Sequence, residues 1–214
     1  MKSGRLVEIY NRLYEFYGPQ GWWPGKTRFE VIVGAILTQN TAWSNVEKAI
    51  VNLKKAKSLS PKRIKDIRYD SLGRMIKPSG YYNIKTKRLK NFISFLYSKY
   101  AGSLDRLSTQ RADKLKEELL HINGIGPETC DSIMLYAFKK KVFVVDAYTK
   151  RIFSRHSLVK EAADYHEVQK FFMDNLPKRE KLYNEYHALI VRLGKEFCQS
   201  KPNCKECPLN KSSG

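Results

Sequence analysis

Three groups of residues in this sequence could do chemistry. The first is Asp146, a lone carboxylate at the end of the apolar run at 142–145. A fixed carboxylate can stabilise a developing positive charge and can orient or deprotonate a water. In Asp-Ala-Tyr-Thr the same side chain can also cap the helix that follows. The second group is Gly124 and Gly126, in Ile-Asn-Gly-Ile-Gly-Pro-Glu. Glycine takes φ > 0 and lets another backbone come close, and Pro127 suits the first position of a helix. Exposed amides at such a hairpin, beside a positive helix N-terminus, suit a phosphate oxygen. The third group is Cys198, Cys204 and Cys207, spaced Cys-x5-Cys-x2-Cys. In a reducing compartment that spacing argues for a metal or cluster over disulfides.

These groups need helices to hold them. Cys130, Ile133, Met134, Ala137 and Phe138 fall at i, i+3, i+4, i+7 and i+8, so the hairpin opens a helix. Helical spacing also marks residues 5–17, and Phe29, Ile32, Val33, Ile36 and Leu37 mark a second helix. Thr41 or Ser44 is expected to cap the third, and Asn83 to cap a basic helix through Tyr100. Further helices are expected at 61–77, from Asp105 through Leu119, and at 147–154, 164–175 and 181–196. Residues 142–145 are the one stretch that could form a strand, and it is short. The expected class is all-α.

Forty Lys and Arg against twenty-one Asp and Glu leave +19 over 214 residues, which points to a polyanion. A solvated basic surface is the plain alternative. At 42% hydrophobic residues the chain has material for a core. No apolar run approaches the ~20 residues that span a bilayer. No apolar signal core follows the first residues, so a cytoplasmic location is expected.

The stretch from Leu119 to Arg155 resembles the helix-hairpin-helix and aspartate element of the endonuclease III superfamily of DNA glycosylases. The hairpin falls on 122–126 and the family's catalytic aspartate on Asp146. The resemblance implies two helical domains, 27–140 as a six-helix bundle and 1–26 with 141–214, and an active site in the cleft between them. It implies that Ile122, Gly124, Ile125 and Gly126 grip a DNA phosphate, through a bound monovalent cation. Leu37-Thr38-Gln39 resembles the family's Leu-x-Gln, whose glutamine wedges into DNA where a base has been expelled. Gln39 inherits that role, with Asn40 beside it. Gly80-Tyr81-Tyr82-Asn83-Ile84-Lys85 resembles a further family segment, and Lys85 and Lys87 become candidate phosphate contacts, or simply a solvated face. His187 sits in Tyr-His-Ala-Leu-Ile, which resembles the helix before the family's cluster. It reads as a packed or capping histidine more than as a catalyst.

Bifunctional members carry a lysine two residues after the second hairpin glycine. Here that residue is Glu128, which cannot form a Schiff base. The resemblance therefore implies a monofunctional enzyme that uses water. Trp22-Trp23-Pro24 and the segment ending in Trp43 look like the 3-methyladenine DNA glycosylase branch, where aromatic rings stack on the extruded base. A cationic alkylpurine suits aromatic faces. Mispaired thymine or uracil, oxidised pyrimidines and plain DNA binding are the alternatives. The expected partner is damaged duplex DNA, with no membrane, no protein partner and a monomeric chain.

In the tail, the family has Cys-x6-Cys-x2-Cys-x5-Cys. This chain is one residue short in the first gap and has Ser213 at the fourth position. Three readings stand: a 4Fe-4S cluster with Ser213 as an unusual ligand, zinc on three thiolates, or a metal-free loop. Zinc ranks behind the cluster. Lys195, Lys201 and Lys205 around the loop are expected to face phosphate.

Overall fold

A computed structural model describes residues 2–21 and 25–210. Trp22, Trp23 and Ser213 lie outside the described residues. The described residues are helical, with no strand among them. The chain divides into two compact units, Pro24–Lys140 and the pair Met1–Trp23 with Lys141–Gly214.

The first unit begins with α1 (Arg28–Leu37).

 It continues through α2 (Trp43–Lys55), α3 (Pro61–Asp66), α4 (Tyr69–Ile76), α5 (Tyr82–Tyr100), α6 (Leu104–Ser108), α7 (Ala112–Leu120) and α8 (Pro127–Ser132). A 3-10 turn (Lys77–Ser79) precedes α5, and a π-helical turn (Ile133–Ala137) carries α8 onward. Its core is apolar and closed: Ile32, Val33, Ile36, Leu37, Leu53, Leu72, Leu89, Phe92, Leu96, Leu115 and Ile133 are buried. Burial of such side chains is the main force holding a helical unit together, at about 1.5–3 kcal/mol each. Thr27 caps α1 by accepting from Glu30 N, and Ser60 caps α3 by accepting from Arg63 N.

Two expected caps fall elsewhere. Ala42, with no side-chain cap bond, precedes α2 in place of Thr41 or Ser44. Tyr81, in the left-handed region at φ 44°, precedes α5, and Asn83 lies inside the helix. The left-handed pair Gly80 and Tyr81 starts the helix two residues earlier than a side-chain cap at Asn83 would.

The other unit contains α0 (Lys2–Tyr17), α9 (Ala147–Arg155), α10 (Tyr165–Asn175) and α11 (Glu180–Glu196). Its centre is aromatic. Phe143 stacks on Phe172 with ring centroids 4.1 Å apart, and Tyr183, Tyr186 and Phe153 close around them edge-on. The Tyr186 hydroxyl donates to Leu6 O at 2.8 Å and ties α11 to α0. Residues 142–145 are extended and buried but pair with no strand. Side chains of α10 replace the missing ladder: Gln169 Nε2 donates to Phe143 O at 2.6 Å, and Val145 N reaches the Tyr165 hydroxyl at 3.5 Å.

Candidate active site and hairpin

Asp146 ends that extended run and begins α9. Its Oδ1 accepts from Thr149 N at 2.7 Å and from the Thr149 hydroxyl at 2.8 Å. It is therefore the N-cap, as Asp-Ala-Tyr-Thr suggested. The cap uses one oxygen. The other, Oδ2, lies 3.6 Å from His187 Nε2 on α11. That separation is longer than a full hydrogen bond and sets the imidazole against the carboxylate. Burial pushes the Asp146 pKa up. The opposing contributions of His187 and the two Thr149 bonds outweigh it, and the net shift is downward from 3.8. The side chain is thus a half-buried carboxylate that stays ionised.

The packing of α9 on α11 makes this approach possible. A Cβ at Gly194 would collide with the Tyr148 ring, so the glycine lets the two helices close up. His187 is 6% exposed and faces Asp146 from a helix that is buried almost all round. Sequence reasoning treated it as a packing residue. Forty-one positions separate it from Asp146, and no local pattern joins them.

The hairpin lies in the other unit. Ile125 N donates to Ile122 O at 3.0 Å, closing the turn, and Gly124 stands at φ +96°. A side chain there would be strained and would also strike Arg88. Ile122 and Ile125 are core residues, 6% and 4% exposed, so they can meet a ligand only through backbone. The amides of Asn123, Gly124 and Gly126 have no acceptor among the described residues. The carbonyls are occupied: Ile122 O by Ile125 N, Asn123 O by Asn91 Nδ2 at 2.9 Å, and Gly124 O by Gln39 Nε2 at 3.0 Å. A monovalent cation at these oxygens would compete with those donors.

Gln39 is tied down on every side. Besides Gly124 O, its amide nitrogen donates to the Thr129 hydroxyl at 2.8 Å, and its oxygen accepts from Arg88. Asn40 is exposed, in the left-handed region at φ 52°. Trp43 is half-buried at the first position of α2. Glu128 is exposed in the first turn of α8.

Lys85 corrects an expectation. It is 1% exposed, and its ammonium donates to Leu37 O at 2.8 Å and Ser79 O at 2.6 Å. It satisfies the carbonyl end of α1 and the 3-10 turn, and it cannot reach a phosphate. Burial, with the nearby Arg88 charge, lowers its pKa to about 8. Lys87 is exposed, as the phosphate reading requires.

In the tail, Cys198 is buried, Cys204 exposed and Cys207 in between. Arg155 Nη1 lies 3.3 Å from Cys198 Sγ and donates to Gln199 O at 2.6 Å, while Arg151 Nε donates to Cys198 O at 2.8 Å. Burial raises the Cys207 pKa, with the other two thiols adding to the rise. Among the described residues no three His, Cys, Asp or Glu side chains converge where a metal ion would sit. Three thiols are one short of the four ligands that a cluster takes, and Ser213, the expected fourth, lies outside the described residues. Cys130 is a core thiol, its pKa raised by burial to about 12. Lys195, Lys201 and Lys205 are exposed.

Residues 33–178 match the family model described as HhH-GPD superfamily base excision DNA repair protein. The chain is 49% identical over 209 residues to MJ1434 of Methanocaldococcus jannaschii, provisionally named a DNA repair glycosylase, covering 97% of this chain and 95% of that protein. Among solved structures it is similar to an H. pylori 3-methyladenine DNA glycosylase, MagIII, bound to 1,N6-ethenoadenine. That match has a TM-score of 0.79 and 30% identity, and it covers 92% of this chain and 98% of the other. A non-covalent endonuclease III–DNA complex superposes with a TM-score of 0.83 at 20% identity, over 97% of this chain and 93% of the other, which shows a shared fold.

Proposed function

This chain belongs to the HhH-GPD superfamily of base excision DNA repair proteins, and we propose that it is a monofunctional glycosylase releasing alkylated purines from duplex DNA. The observation that carries this reading is the state of Asp146, a half-buried carboxylate held ionised by His187 and Thr149. Breaking an N-glycosidic bond leaves an oxocarbenium-like sugar. A carboxylate fixed near C1′ stabilises that charge and positions the attacking water. Thr149 holds the carboxylate by Oδ1, so Oδ2 is the atom for this work.

Water as nucleophile follows from what stands after the hairpin. Glu128 occupies the position where a Schiff-base lysine would be needed, and no amine replaces it there. Lys140 is committed to Ser108 O at 3.0 Å and Gln110 O at 2.8 Å. The preference for alkylpurines rests on the likeness to the H. pylori enzyme and on Trp43, with Trp22 and Trp23. An alkylated purine is cationic and already a good leaving group, so stacking suffices and no general acid is required. The unpartnered hairpin amides supply a phosphate grip, and exposed Lys87 adds charge.

A base-release assay on methylated duplex DNA tests this. Free 3-methyladenine, with strand breaks only after alkali, is the expected result. Breaks without alkali would overturn the monofunctional reading. Release only from mismatched or oxidised duplexes would move the substrate class, and no release from any would leave a DNA-binding protein.

A further inference from the structure

The geometry points to Asn40, rather than Gln39, as the side chain that fills the DNA stack when a base is expelled. This inference rests on the glycosylase reading above. An enzyme that flips a base must pay for an empty place in the duplex, and an inserted side chain offsets that cost. Such a group has to be exposed and uncommitted. Gln39 is neither. A carboxamide has two N–H donors and one acceptor oxygen. Gln39 spends both donors, on Gly124 O and the Thr129 hydroxyl, and its oxygen takes the Arg88 guanidinium. Moving it into DNA would break all three bonds.

Asn40 is the next residue and has the opposite properties. It is exposed, and its side chain has no hydrogen-bond partner among the described residues. Its neighbours in the turn offer less: the Thr38 hydroxyl donates to Gly34 O at 2.6 Å, and Thr41 is shorter and half-buried. Its backbone is left-handed, a conformation asparagine tolerates better than most residues. Asn40 retains a donor pair and an acceptor, which an orphaned base can meet. The Gln39 brace then gains a purpose. It fixes residue 40 relative to the hairpin amides, so that a phosphate gripped by the hairpin and the side chain entering the stack keep one spacing.

Asn40→Gly is the clean test, because glycine accepts the left-handed backbone while removing the side chain. The probes are a duplex bearing a tetrahydrofuran abasic analogue and the matched intact duplex, with affinities read by fluorescence anisotropy. Asn40→Gly should cut the preference for the gapped duplex roughly tenfold, with Tm and affinity for the intact duplex in place. Gln39→Ala should lower Tm and weaken both duplexes alike. An unchanged gap preference in Asn40→Gly, or its loss in Gln39→Ala at unchanged Tm, would overturn the assignment. Base release by the parent, measured alongside, separates two failures. Release with an unchanged gap preference in Asn40→Gly sinks this inference alone. No release sinks the reading beneath it and the inference with it.

Discussion

At the hairpin, polar side chains are spent on the protein itself. Gln39, Asn91 and Lys85 each donate to a backbone carbonyl, and Arg88 donates to Gln39. At Asp146 only one oxygen is spent, on Thr149, while the other faces His187. The difference separates two kinds of candidate functional residue. The hairpin is a braced frame that leaves three backbone amides without acceptors among the described residues. Asp146 is a side chain anchored by one atom, which leaves the other for the chemistry proposed for it.

The comparison breaks most sharply at Asp146. Asp146→Asn keeps an N-cap acceptor but loses the charge, so single-turnover base release should fall about a thousandfold. DNA affinity and Tm should change little. Loss of binding together with release would place Asp146 among the frame residues.

Lys85→Met should cost about 3 kcal/mol in urea unfolding, because two buried carbonyls lose a charged donor. The residue also leaves a pH signature. Its folded pKa, about 8, lies below the ordinary 10.5, so between those values the unfolded chain binds more protons. Its contribution to unfolding free energy therefore rises from pH 8 to pH 10.5 and is lowest below pH 8. Lys85→Met should lack that rise. An equal slope in both proteins would mean that the ammonium is solvated.

Gly124→Ala should cost about 2 kcal/mol, from the positive φ and the collision with Arg88. Affinity for duplex DNA should fall with it, since the amides move. The smallest effect sharpens the other side: Asp146→Ala should lose about 1 kcal/mol more stability than Asp146→Asn, the worth of an N-cap. Thermal melts of the pair would read it. Equal stabilities would mean that Thr149 contributes nothing through the cap.

Much of this was legible in the residues. Helical periodicity located α9, α10 and α11 to within a residue or two, and Asp-Ala-Tyr-Thr announced the cap. Lys85 was misread although a signal existed. It shares the buried face of α5 with Leu89, Phe92 and Leu96, at i, i+4, i+7 and i+11, and a lysine on an apolar stripe is a candidate for internal use. Nothing local foretold His187 or the Gln39 brace. Both depend on partners tens of residues away, Asp146 for one and Gly124 and Thr129 for the other, and only tertiary packing brings such pairs together.

The bond from Tyr186 to Leu6 O spans 180 positions, with the whole of Pro24–Lys140 between its ends. On the ribosome, α0 therefore emerges long before the helix it must join. The continuous middle of the chain can close while the first helix waits for its partner. Tyr186 lies next to His187, so the helix that receives α0 is also the one that presents the histidine to Asp146. A nascent chain can thus complete its hairpin well before Asp146 gains the α11 side chain that faces it.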